Sequence, residues 1–138
     1  MSLYPETKSF TALREILKKR IMILDGAMGT MVQSYGISER EWRGKEFVSS
    51  LVDLKGCNDV LCLTRPDVIS DIHRRYLEAG ADIIECNSFS ATRIGLSAYG
   101  LSDRAADVAF RAAQLARAEA DRATAADPSK PRFVAGIL

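Results

Sequence analysis

A chain of 138 residues, 47% hydrophobic and 27% charged, has the composition of one ordinary globular domain. Its 19 basic and 18 acidic residues leave a net charge of +1, which argues against a large basic surface for nucleic acid. No apolar run approaches the roughly 20 residues that cross a bilayer, and the early Glu6 and Lys8 leave no core for an export signal. Cys57, Cys62 and Cys86 are odd in number and irregular in spacing, so no disulfide framework is expected and a reducing cytoplasm is the natural compartment.

Phe10, Leu13, Ile16, Leu17 and Ile21 fall at helical spacing and predict an amphipathic helix over 9–19. The run Ile21-Met22-Ile23-Leu24 ends on Asp25 and predicts a buried strand over 21–25. A polar stretch, 34–59, follows. Within it Ser38 and Glu41 have capping-box spacing for a short helix. The rest reads as an extended loop, in which Trp42 and Phe47 either anchor it on the body, the safer reading, or cover a site as a lid. Val60-Leu61-Cys62-Leu63 predicts a second, short strand. Pro66 suits the first turn of the next helix. Val68, Ile69, Ile72, Tyr76 and Leu77 form its buried face, and Gly80 its C-terminal cap. A third strand is expected over 82–87 and a helix over 88–99. Ser102 is expected to cap a long alanine-rich helix reaching Ala126. Asp127-Pro128-Ser129-Lys130-Pro131 breaks the chain before a fourth strand over 133–138. His73 reads as a surface or helix-packing residue, and Arg74-Arg75 as a solvated face. Arg111, Arg117 and Arg122 with Glu119 and Asp121 read as an exposed face with weak charge pairing.

Strands alternating with helices argue for parallel βαβ units. Four such strands fit half of an eight-stranded barrel or most of a small open sheet. A closed barrel of eight units needs about 250 residues. A lone half-barrel leaves strand edges unpaired and apolar faces uncovered, which favours self-association.

The candidate chemistry centres on Asp25-Gly26-Ala27-Met28-Gly29-Thr30, at the C-terminal end of the first strand, where parallel α/β folds bind ligands. Gly26 and Gly29 leave backbone N–H groups open to an anion, and Asp25 can accept hydrogen bonds from an ammonium. An acid beside free amides suits both ends of an amino acid. The same residues fit a tight turn in which Asp25 caps backbone amides, and spacing alone does not separate the two readings. Glu85 and Asn87 share a strand face with Ile83, while Ile84 and Cys86 point the other way. If Ile83 faces a barrel interior, Glu85 and Asn87 rise toward its mouth. A buried carboxylate there needs a partner, which favours function over a solvated strand end. The three cysteines have no Cys-x-x-Cys pair and His73 is the only histidine, so they are expected to be ordinary reduced thiols. An acid/base pair of Asp25 and Glu85 in an unrelated small α/β enzyme is a further reading.

The run Leu24-Asp25-Gly26-Ala27-Met28-Gly29-Thr30, followed by Gln33-Ser34-Tyr35-Gly36, resembles the homocysteine-binding domain of the cobalamin-dependent methionine synthases. The likeness continues through Phe47, Asp53-Leu54-Lys55-Gly56 and Asn58-Asp59, then Ile72-His73 and Tyr76. It closes on Ala79-Gly80-Ala81-Asp82-Ile83-Ile84-Glu85, Asn87, Phe89 and Val134-Ala135-Gly136. It covers nearly the whole chain, and the long loop between the first two strands matches this family more than its betaine-using relatives. The resemblance implies that residues 1–138 are the N-terminal portion of a homocysteine S-methyltransferase domain, truncated after the fourth strand. The implied fold is the first half, about four βα units, of a (β/α)8 TIM barrel. The implied reaction transfers a methyl group from methylcobalamin, supplied by 5-methyltetrahydrofolate, to homocysteine activated as a zinc thiolate.

By the same resemblance Asp25 holds the homocysteine ammonium, the amides of Gly26 and Ala27 hold its carboxylate, and Glu85 and Asn87 lie near the substrate. The family takes its zinc cysteines from later strands, so Cys57, Cys62 and Cys86 are not inherited ligands. No residue here is assigned a catalytic role, and neither zinc nor cobalamin is expected on this chain alone. The implied partners are homocysteine and the cobalamin- and folate-binding modules of an intact enzyme. The alternative is a non-catalytic half-barrel that forms a homodimer or pairs with a second half.

Overall fold

Ile83-Ile84-Glu85 and Phe133-Val134-Ala135 are short apolar runs that need a partner to satisfy their backbone, and they find it in each other. The computed structural model describes residues 7–137. In it β1 (Ile83–Glu85) and β2 (Phe133–Ala135) pair in parallel, Ile83 against Phe133 and Glu85 against Ala135. The expected first strand joins them only as a bridging segment. Leu24 bridges to Ile83 in parallel. The Asp82 and Ile83 amides donate to the Ile23 carbonyl at 2.8 and 3.1 Å, and the Asp25 amide donates to the Ile83 carbonyl at 2.9 Å. Residues 1–6, which carry the export-signal argument, and Leu138, the end of the expected fourth strand, lie outside the described residues.

Among the described residues there are six helices, α1 (Lys8–Leu17), α2 (Met28–Ser34), α3 (Glu39–Arg43), α4 (Leu61–Thr64), α5 (Pro66–Glu78) and α6 (Ala105–Ala126), of which α5 and α6 pack on the sheet. The link from β1 to β2 runs through α6, as a parallel pair requires a crossover. Val68, Ile69, Ile72 and Leu77 of α5 and Val108, Ala112, Leu115, Ala116 and Ala120 of α6 are buried in one core with Ile84. The alanines let the two helices approach closely. The capping box forms as expected, with the Ser38 amide donating to Glu41 Oε2 at 2.9 Å. Trp42 and Phe47 are buried, so they anchor the long loop. Glu39 adds to this by accepting from the Leu54 and Lys55 amides at 2.9 and 2.7 Å.

α5 ends as its sequence predicts. The Gly80 amide donates to the Leu77 carbonyl and the Ala81 amide to the Tyr76 carbonyl, a paired closure with Gly80 at φ 110°. Gly80→Ala is expected to cost about 1–2 kcal/mol, because an L side chain strains that backbone. Urea unfolding followed by Trp42 fluorescence checks this; an unchanged midpoint would show that the turn relaxes freely.

Four expectations are corrected. Val60-Leu61-Cys62-Leu63 is no strand: a 3₁₀ turn (Asn58–Val60) runs into α4. Val60, Leu61 and Cys62 are fully buried, so the run is apolar because it is enclosed, and a four-residue run of that kind fits either conformation. Residues 88–99 are turns, with a 3₁₀ piece only at Ser97–Tyr99. The Ser90 amide is drawn away to Asp59 Oδ2 at 2.6 Å, and a Cβ on Gly95 would stand 2.5 Å from the Ser90 carbonyl oxygen. Ser102 does not cap α6: its hydroxyl donates to the Arg93 carbonyl at 2.9 Å, and α6 starts at Ala105 without a side-chain cap. Finally, Glu119 is not on an exposed face, and His73 takes the helix-packing rather than the surface alternative. Both are buried, and Glu119 accepts from Arg74 Nη2 at 3.2 Å and Arg122 Nε at 2.9 Å. The result is a helix-rich α/β fold with a small parallel sheet. Among the described residues the four expected βα units reduce to two strands and one bridging segment.

Candidate amino-acid site

The bridging segment and β1 run in parallel and end side by side, so Asp25 and Glu85 emerge at one edge of the sheet. The segment is held from below by Asp82. Its carboxylate, 1% exposed, takes both guanidinium nitrogens of Arg20 at 2.7 and 2.8 Å and the Ile23 amide at 2.9 Å. The Arg20 hydrogen bond is the main cause that lowers the Asp82 carboxyl to about 2. A depressed carboxylate contributes stability that is complete above its ordinary value and lost as pH falls toward 2. Asp82→Asn is therefore expected to lower the thermal midpoint at neutral pH and to flatten the acid loss below about pH 4. Calorimetry at several pH values checks this; an unchanged neutral-pH midpoint would remove Asp82 as an anchor.

Above this anchor, the Glu85 amide donates to Asp25 Oδ1 at 3.1 Å. Asp25 thus caps a backbone amide, but one of the neighbouring strand rather than of its own turn. Burial pushes the Asp25 carboxyl up to about 6, the nearby Glu85 carboxylate adds to that rise, and the amide hydrogen bond opposes it. A carboxylate held at this cost at a concave surface is suited to receiving a cation.

Asp25, Gly26, Ala27, Glu85 and Asn87, the five residues expected from sequence, all line one cavity of about 260 Å³. Gly26 and Ala27 are exposed there, so their main chain is open to a ligand. Asn87 is buried, and its amide donates to the Asn58 carbonyl at 2.9 Å. It ties the floor of the cavity to the loop beneath as well as lining it. A second cavity of about 260 Å³ adjoins the first, sharing Met28, Asn87 and Phe89 and adding Asn58, Asp59 and Tyr99. Sequence reasoning did not assign this second space. Its signal was the Asn58-Asp59 pair inside a loop, where buried acids are rare. Two larger grooves, about 570 Å³ between α1 and α6 and about 1000 Å³ beside α3 and α4, involve none of these residues.

Whether the three thiols could hold zinc depends first on whether they group with further ligands. Zinc binds thiolates. Burial pushes Cys57 up to about 11 and Cys62 up to about 12, and raises Cys86 as well. Among the described residues no three His, Cys, Asp or Glu side chains group to hold a metal. These residues do not fit a zinc thiolate centre. No described helix is long and apolar enough to cross a membrane.

A sequence model described as homocysteine S-methyltransferase matches residues 22–138. The chain belongs to the homocysteine S-methyltransferase family. Solved structures agree. The metallated form of the homocysteine methyltransferase MmuM from Escherichia coli is similar with a TM-score of 0.68 and 26% identity. The match covers 90% of this chain and 40% of that one. The oxidized form gives a TM-score of 0.69 and 27% identity over 90% of this chain and 39% of that chain. The chain thus spans well under half the length of these homocysteine methyltransferases. The region matched by the family model contains every residue that lines the Asp25 cavity.

Proposed function

We propose that this chain carries the amino-acid-binding part of a homocysteine methyltransferase. Asp25 receives the homocysteine ammonium, the Gly26 and Ala27 amides receive its carboxylate, and Glu85 and Asn87 complete the wall. One observation carries this reading: all five residues converge on a single cavity in a chain of this family. The parent reaction is methyl transfer to homocysteine, giving methionine. The extended 34–59 loop and the motifs around it support the cobalamin-dependent methionine synthases as the closer branch, with methylcobalamin as donor and zinc held by later cysteines. This chain alone is expected to bind homocysteine weakly, on the order of millimolar, without the zinc–sulfur bond. Titration with L-homocysteine under reducing conditions, followed by amide NMR, tests it. Shifts confined to residues 25–28 and 85–89 support the reading, and none at 20-fold excess over about 1 mM removes it.

A second reading is favoured by the open edge of the bridging segment, where Ile21, Ile23 and Leu24 are 84%, 55% and 48% exposed. A non-catalytic assembly would cover them with a second copy. Sedimentation at increasing concentration decides: a monomer throughout counts against it.

A further inference from the structure

Phe89 is 81% exposed, yet the turn that presents it is tightly built. The Ser90 amide donates to Asp59 Oδ2 at 2.6 Å, and the Phe89 amide also bonds this buried carboxylate. The Ala91 amide donates to the Ser88 carbonyl at 3.1 Å and the Thr92 amide to the Ser90 carbonyl at 2.7 Å. Gly95 is required where it stands, because a side chain would strike the Ser90 carbonyl oxygen at 2.5 Å. An exposed ring on a pinned turn adds nothing to the core. Its position is informative: Phe89 lines both the Asp25 cavity and the adjoining one, and stands at their junction.

We propose that Phe89 is a specificity-determining residue of the amino-acid site, where its ring meets the sulfur-bearing arm of the ligand. This rests on the homocysteine reading above. With the charged end of the amino acid at Asp25 and the Gly26 and Ala27 amides, the side-chain arm must leave the cavity past its remaining wall. Phe89 is the aromatic residue of that wall. A polarizable sulfur gains from an aromatic neighbour and a hydroxyl does not. Phe89 thus favours a thiol or thioether over the isosteric alcohol. Asp59 is a positioning residue that acts through the turn.

The test compares L-homocysteine with L-homoserine on the same 138-residue chain by NMR titration. The wild type is expected to prefer homocysteine. Phe89→Ala is expected to weaken homocysteine about two- to tenfold and leave homoserine unchanged, the range that sulfur–aromatic contacts supply. Phe89→Leu keeps an apolar wall without the ring and is expected to lose the same preference. Asp59→Ala is expected to reproduce the loss, and Asp59→Asn, which keeps an acceptor oxygen, to restore it. Because Phe89 is exposed, its variants keep the wild-type melting point, so a binding change is not an unfolding artefact. Equal weakening of both ligands, or no change in either, overturns this proposal and leaves the functional reading standing. No homocysteine binding by the wild type overturns both.

Discussion

Asp25→Asn is expected to abolish homocysteine binding and, at the same time, to make the fold more stable at neutral pH. The carboxyl is raised to about 6, chiefly by burial, so at pH 7 the native state holds a charge it disfavours. A rise of that size corresponds to about 3 kcal/mol in a fully enclosed site, and partial solvent access reduces this to roughly 1–2 kcal/mol. Asparagine keeps an oxygen for the Glu85 amide and removes the charge, so the turn survives. It cannot neutralise an ammonium. The pH dependence follows with a definite sign. Asp25's native value lies above its unfolded one, so the native state takes up the proton first and gains stability as pH falls from about 6 toward 4. A bound ammonium favours the ionised carboxylate, so homocysteine affinity falls over the same interval. Thermal melts and NMR titrations between pH 5 and 8 check both halves. If the variant binds like the wild type, or melts lower at pH 7, Asp25 is a structural cap and nothing more.

The gathering of the five expected residues at one cavity was legible in the sequence, while parts of the fold were not. Asp25-Gly26-Ala27 broke the local rule for a strand end by placing an acid against open backbone. Glu85 broke the apolar pattern of its strand, but it stands exposed at the strand end rather than buried as expected. Conflicts of this kind concentrate at functional positions. The helix of residues 66–78 was equally readable, because Pro66, the apolar stripe and Gly80 all agreed. By contrast, Val60-Leu61-Cys62-Leu63 became helical because α5 and α6 enclose it, which no window of four residues records. Residues 88–99 have helical composition, but the buried Asp59, some thirty positions earlier, takes the Ser90 amide and fixes a turn instead. Glu119 sat on a helix face that looked solvated, and His73 could be read either way; the small side chains of α6 drew α5 close enough to bury both. In each case a contact distant in sequence decided the outcome.

His73 supplies the second large effect. It is fully buried on α5, and neither Nδ1 nor Nε2 has a hydrogen-bond partner. A buried polar group left unpaired costs about 1–3 kcal/mol. His73→Leu, close in volume and apolar, is expected to raise stability by about 1–2 kcal/mol at pH 7. Burial also lowers the imidazole to about 4, overcoming the attraction of the Glu119 carboxylate. Here the native value lies below the unfolded one, so the stability is complete above pH 6.5 and is lost as pH falls toward 4. The full loss is on the order of 3 kcal/mol. This runs against the Asp25 contribution across nearly the same interval. Arg74 and Arg122 hold Glu119 ionised beside His73, and Asp82 changes only below that range. The wild-type stability is therefore expected to fall by only about 1–2 kcal/mol or less between about pH 6.5 and 4, the His73 loss being opposed by gains from Asp25 and from Asp59, whose carboxyl burial also raises. His73→Leu should gain stability on acidification, Asp25→Asn should lose it more steeply than the wild type, and the double variant should fall between the two. Denaturation monitored through Trp42 across that interval reads all three. A His73→Leu protein less stable than wild type at pH 7 would mean that the imidazole is satisfied and contributes to the core.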